Sequence, residues 1–212
     1  MKKLLFAVWL AAGLAPALTA HAQAFGQYTP AEILPVNTRV AGAYVDFSES
    51  ALGALAQLRL SFYPNIDFGF QGGLTRLDLG PTTKTTVRLG ADVRFGVAKA
   101  SASRPLDIAA GGAIGVETGD DYSILTLGPS AVASRTFTFS QNSAIVPYAG
   151  VMLAFASVDV GDGNQTDFSV PLRLGAELRA MPGLRIAAEL QLRLGDEFND
   201  HVGFSAGVNL PF

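Results

Sequence analysis

Residues 184–194 read LRIAAELQLRL, a stretch in which polar and apolar side chains take alternate positions. Glu189, Gln191 and Arg193 occupy odd positions, whereas the even positions hold only Leu, Ile and Ala. A period of two is that of a β-strand, whose successive side chains point to opposite faces. A helix would distribute the same charges around its axis. The stretch therefore predicts a strand with one apolar face and one ionic face.

The same alternation recurs along the chain and divides it into ten expected strands. Their limits are 38–48, 51–63, 66–79, 85–98, 106–118, 122–139, 143–160, 167–181, 184–196 and 201–212. Connectors poor in acid alternate with connectors that hold most of the Asp and Glu, as in an up-and-down meander. Irregularities at Pro129 and at Gly72–Gly73 are interpreted as β-bulges. We predict one all-β domain, residues 38–212, that forms a closed antiparallel barrel of ten strands, with eight strands as the alternative.

Composition decides which face of this barrel meets water. The chain is 49% hydrophobic and 16% charged and has a mean hydropathy of +0.31, a composition that is apolar for an exported soluble domain. It contains no cysteine, so no disulfide stabilises it. The apolar face is rich in Ala, which gives little bulk to a closely packed interior. The ionic face pairs Arg with Asp and Glu, as expected in a confined space. We therefore predict a transmembrane β-barrel with lipid outside and a polar lumen. The alternative is a soluble lipocalin-like carrier of a hydrophobic ligand.

The ionic face supplies a nearly balanced set of charges to the predicted lumen. Seven arginines and six acids are expected there: Arg59, Asp67, Arg88, Asp92, Arg94, Asp107, Glu117, Arg173, Glu177, Arg179, Arg185, Glu189 and Arg193. Ten strands leave little room beyond the side chains themselves. We expect a lumen braced by ion pairs, with at most a narrow pore of weak selectivity for small solutes.

The first residues have the pattern of a secretory signal. Lys2 and Lys3 precede an apolar run, and Ala20 and Ala22 form a small-x-small cleavage site. We expect residues 1–22 to be removed on export through the inner membrane, which leaves 212 − 22 = 190 residues. Residues 23–37 are expected to form a short periplasmic segment outside the main fold. Within it, Thr29 and Glu32 have the spacing of a capping box and predict a helical turn.

The last residues alternate in the same way and end in an aromatic side chain. Phe204, Val208, Leu210 and Phe212 share one face, and this ending resembles the assembly signal of bacterial outer-membrane β-barrels. The chain is similar in size to the small barrels of the outer-membrane protein A/X-like group, although Pro211 departs from the usual ending. The resemblance implies a Gram-negative outer membrane, surrounding outer-membrane lipids, and contact with the barrel-assembly machinery through the C-terminal strand.

Candidate sites outside the lumen are few. The formal net charge is −3 without a basic stripe, which argues against nucleic acid as a partner. His201 lies beside Asp196, Glu197 and Asp200, and rim histidines serve the omptin-type proteases and the lipid A deacylases. Three convergent groups are not evident there. Residues 159–167, DVGDGNQTD, match a calcium loop only loosely, so we interpret them as a hairpin tip.

These patterns predict a non-enzymatic, porin-like protein of the cell envelope with a structural or surface role. We expect no catalytic, cofactor-binding or metal-binding residues, and the patterns do not predict an oligomeric state. The alternative function is an outer-membrane enzyme that hydrolyses lipid or peptide with His201 at the extracellular rim.

Overall fold

The computed structural model describes residues 27–78, 83–120, 122–160, 163–195 and 202–212, and most of those from Arg39 onward form an antiparallel sheet. Its strands are β1 (Arg39–Ser48), β2 (Ala51–Tyr63), β3 (Ile66–Asp78), β4 (Thr83–Ala98), β5 (Asp107–Thr118), β6 (Tyr122–Ser134), β7 (Phe137–Ser140), β8 (Ser143–Met152), β9 (Ala154–Val160), β10 (Gly163–Met181), β11 (Leu184–Leu194) and β12 (Val202–Pro211). None of the described residues forms a helix long and apolar enough to cross a membrane.

The sheet closes on itself because β12 pairs with β1, for example Phe204 with Phe47. β6 and β7 are two parts of one wall strand, and β8 and β9 are two parts of the next, so the wall has ten strands. Each wall strand pairs antiparallel with its neighbours in the chain. The predicted closed ten-strand barrel is therefore confirmed, and the eight-strand alternative was wrong.

Two prolines, and not bulges, cause the interruptions of these two wall strands. The Leu153 amide donates to the Pro129 carbonyl at 3.0 Å, and the Arg135 amide donates to the Pro147 carbonyl at 3.2 Å. Proline has no N–H with which to return either bond, so the ladder is broken at each pair. The register is the same on both sides of the Pro129 pair.

The β-bulges predicted at Pro129 and at Gly72–Gly73 were therefore wrong. β3 pairs with β4 without a register shift along its whole length, and β5 pairs with β6 in the same continuous way. The register shifts of the wall occur instead beside the short turns, for example between Leu60 and Tyr63.

The two faces of the wall have opposite chemistry. Large apolar side chains are exposed on the outer face of every wall strand, including Leu74, Leu89 and Leu174, which are half exposed or more. On the inner face, Arg59 and Glu177 are fully buried. A closed wall with an apolar exterior and an ionic interior is the arrangement of a transmembrane barrel. The soluble carrier, which requires the reverse arrangement, was wrong.

The barrel has two distinct ends. One end carries Arg39, the C-terminus and the turns after β2, β4, β7 and β10, and we call it the turn end. We call the opposite end the loop end. Exposed aromatic side chains lie on the outer face near both ends of the barrel. Those toward the turn end are Phe62, Tyr63, Phe95, Phe137, Phe139 and Phe212, and those toward the loop end are Phe47, Phe155, Phe168 and Phe204. Two such bands match the aromatic girdles of membrane barrels.

Replacing Leu174 by Arg is expected to destabilise the barrel in lipid vesicles by about 2–4 kcal/mol, because this position lies mid-strand on the apolar face. Leu194→Arg is the matched control at the end of β11, where the cost is about 0–1 kcal/mol. Urea unfolding in vesicles measures both changes. Equal effects of the two substitutions would contradict the placement of the apolar face in lipid.

Candidate functional site, the interior of the barrel

Residues 27–36, which we call the plug, run into the barrel: residues 27–31 are buried there, 32–34 are half-buried, and Pro35 and Val36 are exposed. Tyr28 and Ala31 are each only 2% exposed, and Ala31 packs against Ala109, Val132 and Tyr148 of the inner face. The described part of the plug contains no helix. The predicted helical turn outside the main fold was therefore wrong.

The two residues of the supposed capping box contact the wall instead of each other. Thr29 Oγ1 accepts a hydrogen bond from Arg94 Nη1 at 3.1 Å. The Glu32 carboxylate accepts from the Thr136 hydroxyl at 2.7 Å and from Arg179. Contacts with the barrel thus replace the local hydrogen bonds that would begin a helix.

One residue of the plug joins two distant parts of the wall. Gln27 Nε2 donates to Ser130 Oγ on β6 at 3.1 Å, and the Gln27 carbonyl accepts from Gln57 Nε2 on β2 at 3.1 Å. β2 and β6 are the second and the sixth of ten wall strands, so they stand on nearly opposite sides of the lumen. Gln27 therefore crosses the interior between these two wall strands.

Tyr28 holds the plug in the middle of the barrel. Its ring stacks on Tyr44 with centroids 4.2 Å apart, and its hydroxyl donates to Asp46 at 2.8 Å. Its carbonyl accepts a hydrogen bond from Asn209 Nδ2 at 3.2 Å. The φ of Tyr28 is 46°, a left-handed value that bulky residues rarely adopt, so the surrounding contacts impose a strained backbone here.

The Tyr28 hydroxyl stays protonated in this environment. Burial raises the pKa of Tyr28 well above its usual value, and the carboxylates of Asp46 and Glu189 raise it further. The hydroxyl therefore remains a donor to Asp46 throughout the physiological range.

Four of the predicted lumen charges form a compact cluster on β2, β3 and β4. Arg59 Nη2 lies 2.5 Å from Asp67 and 2.8 Å from Asp92, and Arg94 Nη2 lies 2.8 Å from Asp67. Two positive and two negative side chains thus balance, all of them buried. The plug is attached to this cluster, since the Leu34 amide donates to Asp67 at 3.3 Å.

A second cluster surrounds Arg88. Its guanidinium lies 3.5 Å from Asp46 and 3.3 Å from Glu117. Glu117 also accepts hydrogen bonds from the hydroxyls of Thr86 and Tyr122, each at 2.9 Å. Asp46, which joins this cluster to Tyr28, was missed in the sequence. The alternation of Asp46 with Val45 and Phe47 is the signal that would have identified it.

The remaining predicted charges lie on β5, β10 and β11. Glu177 Oε1 is 3.0 Å from Arg179 and 3.6 Å from Arg185. Glu189 accepts from the Tyr148 hydroxyl at 3.0 Å. The inner face also buries Arg173 and Arg193. Asp107 accepts from the Ala100 amide at 2.8 Å and so holds the connection between β4 and β5.

The contact between Glu32 and Arg179, which we call the latch, is the partly exposed attachment of the plug. The exposed fractions of the two side chains are 35% and 23%. Burial alone raises the pKa of Glu32, but hydrogen bonds from Arg179 and Thr136 more than offset it and leave the pKa below its ordinary value of 4.5. The stabilisation that the latch gives to the attachment of the plug is thus present above pH 4.5 and is lost as the pH falls through the lowered pKa of Glu32.

The C-terminal residues lie where the alternation places them. Phe204, Leu210 and Phe212 are exposed on the outer face, with Val208 between them in the same parity. The Phe212 amide donates to the Arg39 carbonyl at 3.0 Å, and the Arg39 amide donates to the Phe212 carbonyl at 3.3 Å. Backbone pairing therefore ties the last residue into the closing seam, and its part in assembly stays a prediction.

Other predicted sites fall outside the described residues. They include His201 with Asp196, Glu197 and Asp200, the signal residues Ala20 and Ala22, and positions 161–162 of the DVGDGNQTD stretch. Among the residues that the structure describes, no three His, Cys, Asp or Glu side chains are grouped so as to hold a metal ion.

No family model matches the sequence, and no curated protein matches it. The chain is similar to the β domain of the Bordetella autotransporter BrkA (11% identity, 83% of this chain, 99% of that chain, TM-score 0.49). It is similar to an outer membrane channel from Pseudomonas putida F1 (12% identity, 90% and 100%, TM-score 0.44). A bacterial polysaccharide outer membrane secretin also matches (12% identity, 83% of this chain, TM-score 0.48), and this chain spans 64% of its length. These comparisons do not assign the chain to a family within the outer-membrane barrels, and its similarity to the outer-membrane protein A/X-like group remains a resemblance. By its wall, the fold is that of an outer-membrane β-barrel.

Replacing Asp67 by Asn is expected to destabilise the barrel by about 3–5 kcal/mol, because it leaves Arg59 and Arg94 buried without their shared carboxylate. Asp159→Asn, at an exposed side chain of β9, is the control, with an expected change within about 0.5 kcal/mol. Urea unfolding in vesicles measures both. A small change at Asp67 would show that the cluster does not stabilise the fold.

Proposed function

We propose that the protein is a non-enzymatic integral protein of the bacterial outer membrane, with a structural or surface role and a lumen that its own N-terminal segment keeps closed. Small solutes pass only through the narrow spaces beside the plug. Export and removal of residues 1–22 bring the chain to this membrane, and the turn end faces the periplasm.

The closed lumen rests on one observation, the crossing of the interior by Gln27 between Ser130 and Gln57. The two ion-pair clusters occupy further space: the first holds two arginines and two aspartates, and in the second Arg88 lies between the carboxylates of Asp46 and Glu117. A nearly neutral interior attracts neither cations nor anions strongly, which supports weak selectivity.

The short connections at the loop end favour a structural role over adhesion. Two residues, 49–50, join β1 to β2, and two, 161–162, join β9 to β10. A surface that binds another protein stably usually buries about 800 Å² on each partner, and such short connections provide little surface area for this.

The partners in this proposal are lipids and the barrel-assembly machinery. The apolar face and its aromatic bands suit outer-membrane lipids. β12 carries Phe204 and Phe212 outward at the closing seam, where a strand that pairs last is accessible to an assembly factor.

Planar-bilayer conductance tests the closed lumen. We expect the native protein to be silent or to give small steps, and a variant lacking residues 23–36 to give larger and more frequent steps with little preference between cations and anions. Val36→Ala, at an exposed side chain of the plug, is the control and is expected to conduct like the native protein. Unchanged conductance after the deletion would overturn the proposal, as would wide channels from the native protein.

Replacing His201 by Ala tests the non-enzymatic part of the proposal. We expect neither the folded native protein nor the variant to cleave outer-membrane lipids or peptides in detergent. Cleavage by the native protein that disappears in the His201→Ala variant would replace this proposal by the enzyme alternative.

A further inference from the structure

Two arginines face each other inside the barrel at the turn end. Arg179 on β10 and Arg185 on β11 are direct cross-strand partners. Like charges in this position repel unless anions lie close to both. Glu177 supplies one negative charge from the wall, and Glu32 supplies the second from the plug. Without Glu32 the group therefore carries a net charge of +1.

This pair is accessible, unlike the other ion pairs of the lumen. The exposed fractions of the Arg179 and Arg185 side chains are 23% and 27%, whereas those of Arg59, Arg88 and Arg94 are 3% or less. The described contacts of Arg179 use Nε and Nη2, which leaves Nη1 for another acceptor. A solute that enters from the turn end thus reaches a guanidinium with donor capacity to spare.

A cavity of about 380 Å³ lies beside the two arginines, between the β7–β8 turn and the β10–β11 turn. Its lining combines both arginines with residues that carry hydroxyl and amide side chains, among them Thr138, Ser140 and Asn142. No Asp or Glu lies among the described residues that line it. Paired arginines with neutral donors around them suit a carboxylate or a phosphate, which accept several hydrogen bonds at once.

The neighbouring space at the turn end also favours anions. A cavity of about 1160 Å³ borders the plug from Ala31 to Val36, and its lining includes Lys99, Arg104 and Arg135. Of the two carboxylates in that lining, Glu32 is engaged by Arg179 and Asp107 by the Ala100 amide. The local excess of positive charge raises the concentration of small anions near the arginine pair.

We propose that Arg179 and Arg185 form a binding site for a small solute or headgroup that carries a carboxylate or phosphate group, and that its binding releases the latch. The bound anion shares the Arg179 guanidinium with Glu32 and weakens the hold of the wall on the plug. The site itself is independent of the closed lumen, whereas the release of the plug rests on the proposed function.

Inorganic phosphate is the probe for the site. In phosphatidylcholine vesicles, we expect calorimetric titration to detect binding that is about tenfold weaker or more in Arg179→Gln and in Arg185→Gln, since each removes charge-assisted hydrogen bonds. Arg76→Gln, an exposed arginine near the loop end, is the control and is expected to bind phosphate like the native protein. If either arginine variant fails to fold, Ser140→Ala tests the same cavity with a smaller loss. Native-like binding by the folded variants would overturn the site.

Thiol labelling tests the release of the plug. The chain contains no cysteine, so Ala31→Cys introduces a single thiol at a position that is 2% exposed. We expect phosphate to raise the labelling rate several-fold, and the further change Glu32→Gln to raise it without phosphate. Phosphate binding with unchanged labelling would overturn the release and leave the site standing. A deletion of residues 23–36 without effect on conductance would instead contradict the closed lumen.

Vesicle composition identifies the source of the anion. If the ligand is a lipid headgroup, replacing part of the phosphatidylcholine by phosphatidylglycerol is expected to weaken phosphate binding and to speed labelling of Cys at position 31. If the ligand is a free solute, the replacement leaves both unchanged. Either result supports a site for an anionic group at the arginine pair, provided that phosphate binding is lost in Arg179→Gln and in Arg185→Gln.

Discussion

Most ionic side chains inside this barrel are buried away from bulk water, so they must pair with one another. Burying an isolated charge costs several kcal/mol, and pairing offsets this cost only when the geometry and the remaining hydrogen bonds are good. The cluster of Arg59, Asp67, Asp92 and Arg94 meets this condition with two charges of each sign. The apolar outer face thus fixes the inner face as well, because each strand has a single way to orient its alternating residues.

The alternation of residues was enough to predict the strands, the closed barrel and the face on which each lumen charge lies. It failed where the signal was not periodic. Pro129 and Pro147 keep the parity of their strands and remove only one ladder hydrogen bond each, so an interruption at a proline is not evidence for a bulge. Parity identifies the inward residues but not their partners, which is why Asp107 was placed among charges rather than against the Ala100 amide.

The plug was the largest error of the sequence interpretation, and its cause is physical. Thr29 and Glu32 have the spacing of a helix cap, but a cap adds only about 1 kcal/mol. Arg94 and Arg179 offer these side chains charge-assisted hydrogen bonds in a partly or fully buried setting, which are stronger. Partners separated from the plug by 65 and 147 positions leave no trace in its local sequence.

The wall and the plug differ in how their charges are satisfied, and the proposed release of the plug depends on this difference. Arg59 and Arg94 neutralise Asp67 and Asp92 within the wall, and Arg88 pairs there with Glu117 and Asp46. Most hydrogen bonds of the plug to the wall come from neutral plug groups. Some join neutral wall side chains, as with Gln27, and others join charged ones, as Thr29 does with Arg94 and Tyr28 with Asp46. The latch is the exception, since Glu32 brings the one carboxylate of the plug to an arginine. An ion pair near solvent is weak but sensitive to competing ions and to pH. Among the described residues, the ion pair between plug and wall is therefore also the contact that conditions at the turn end can alter.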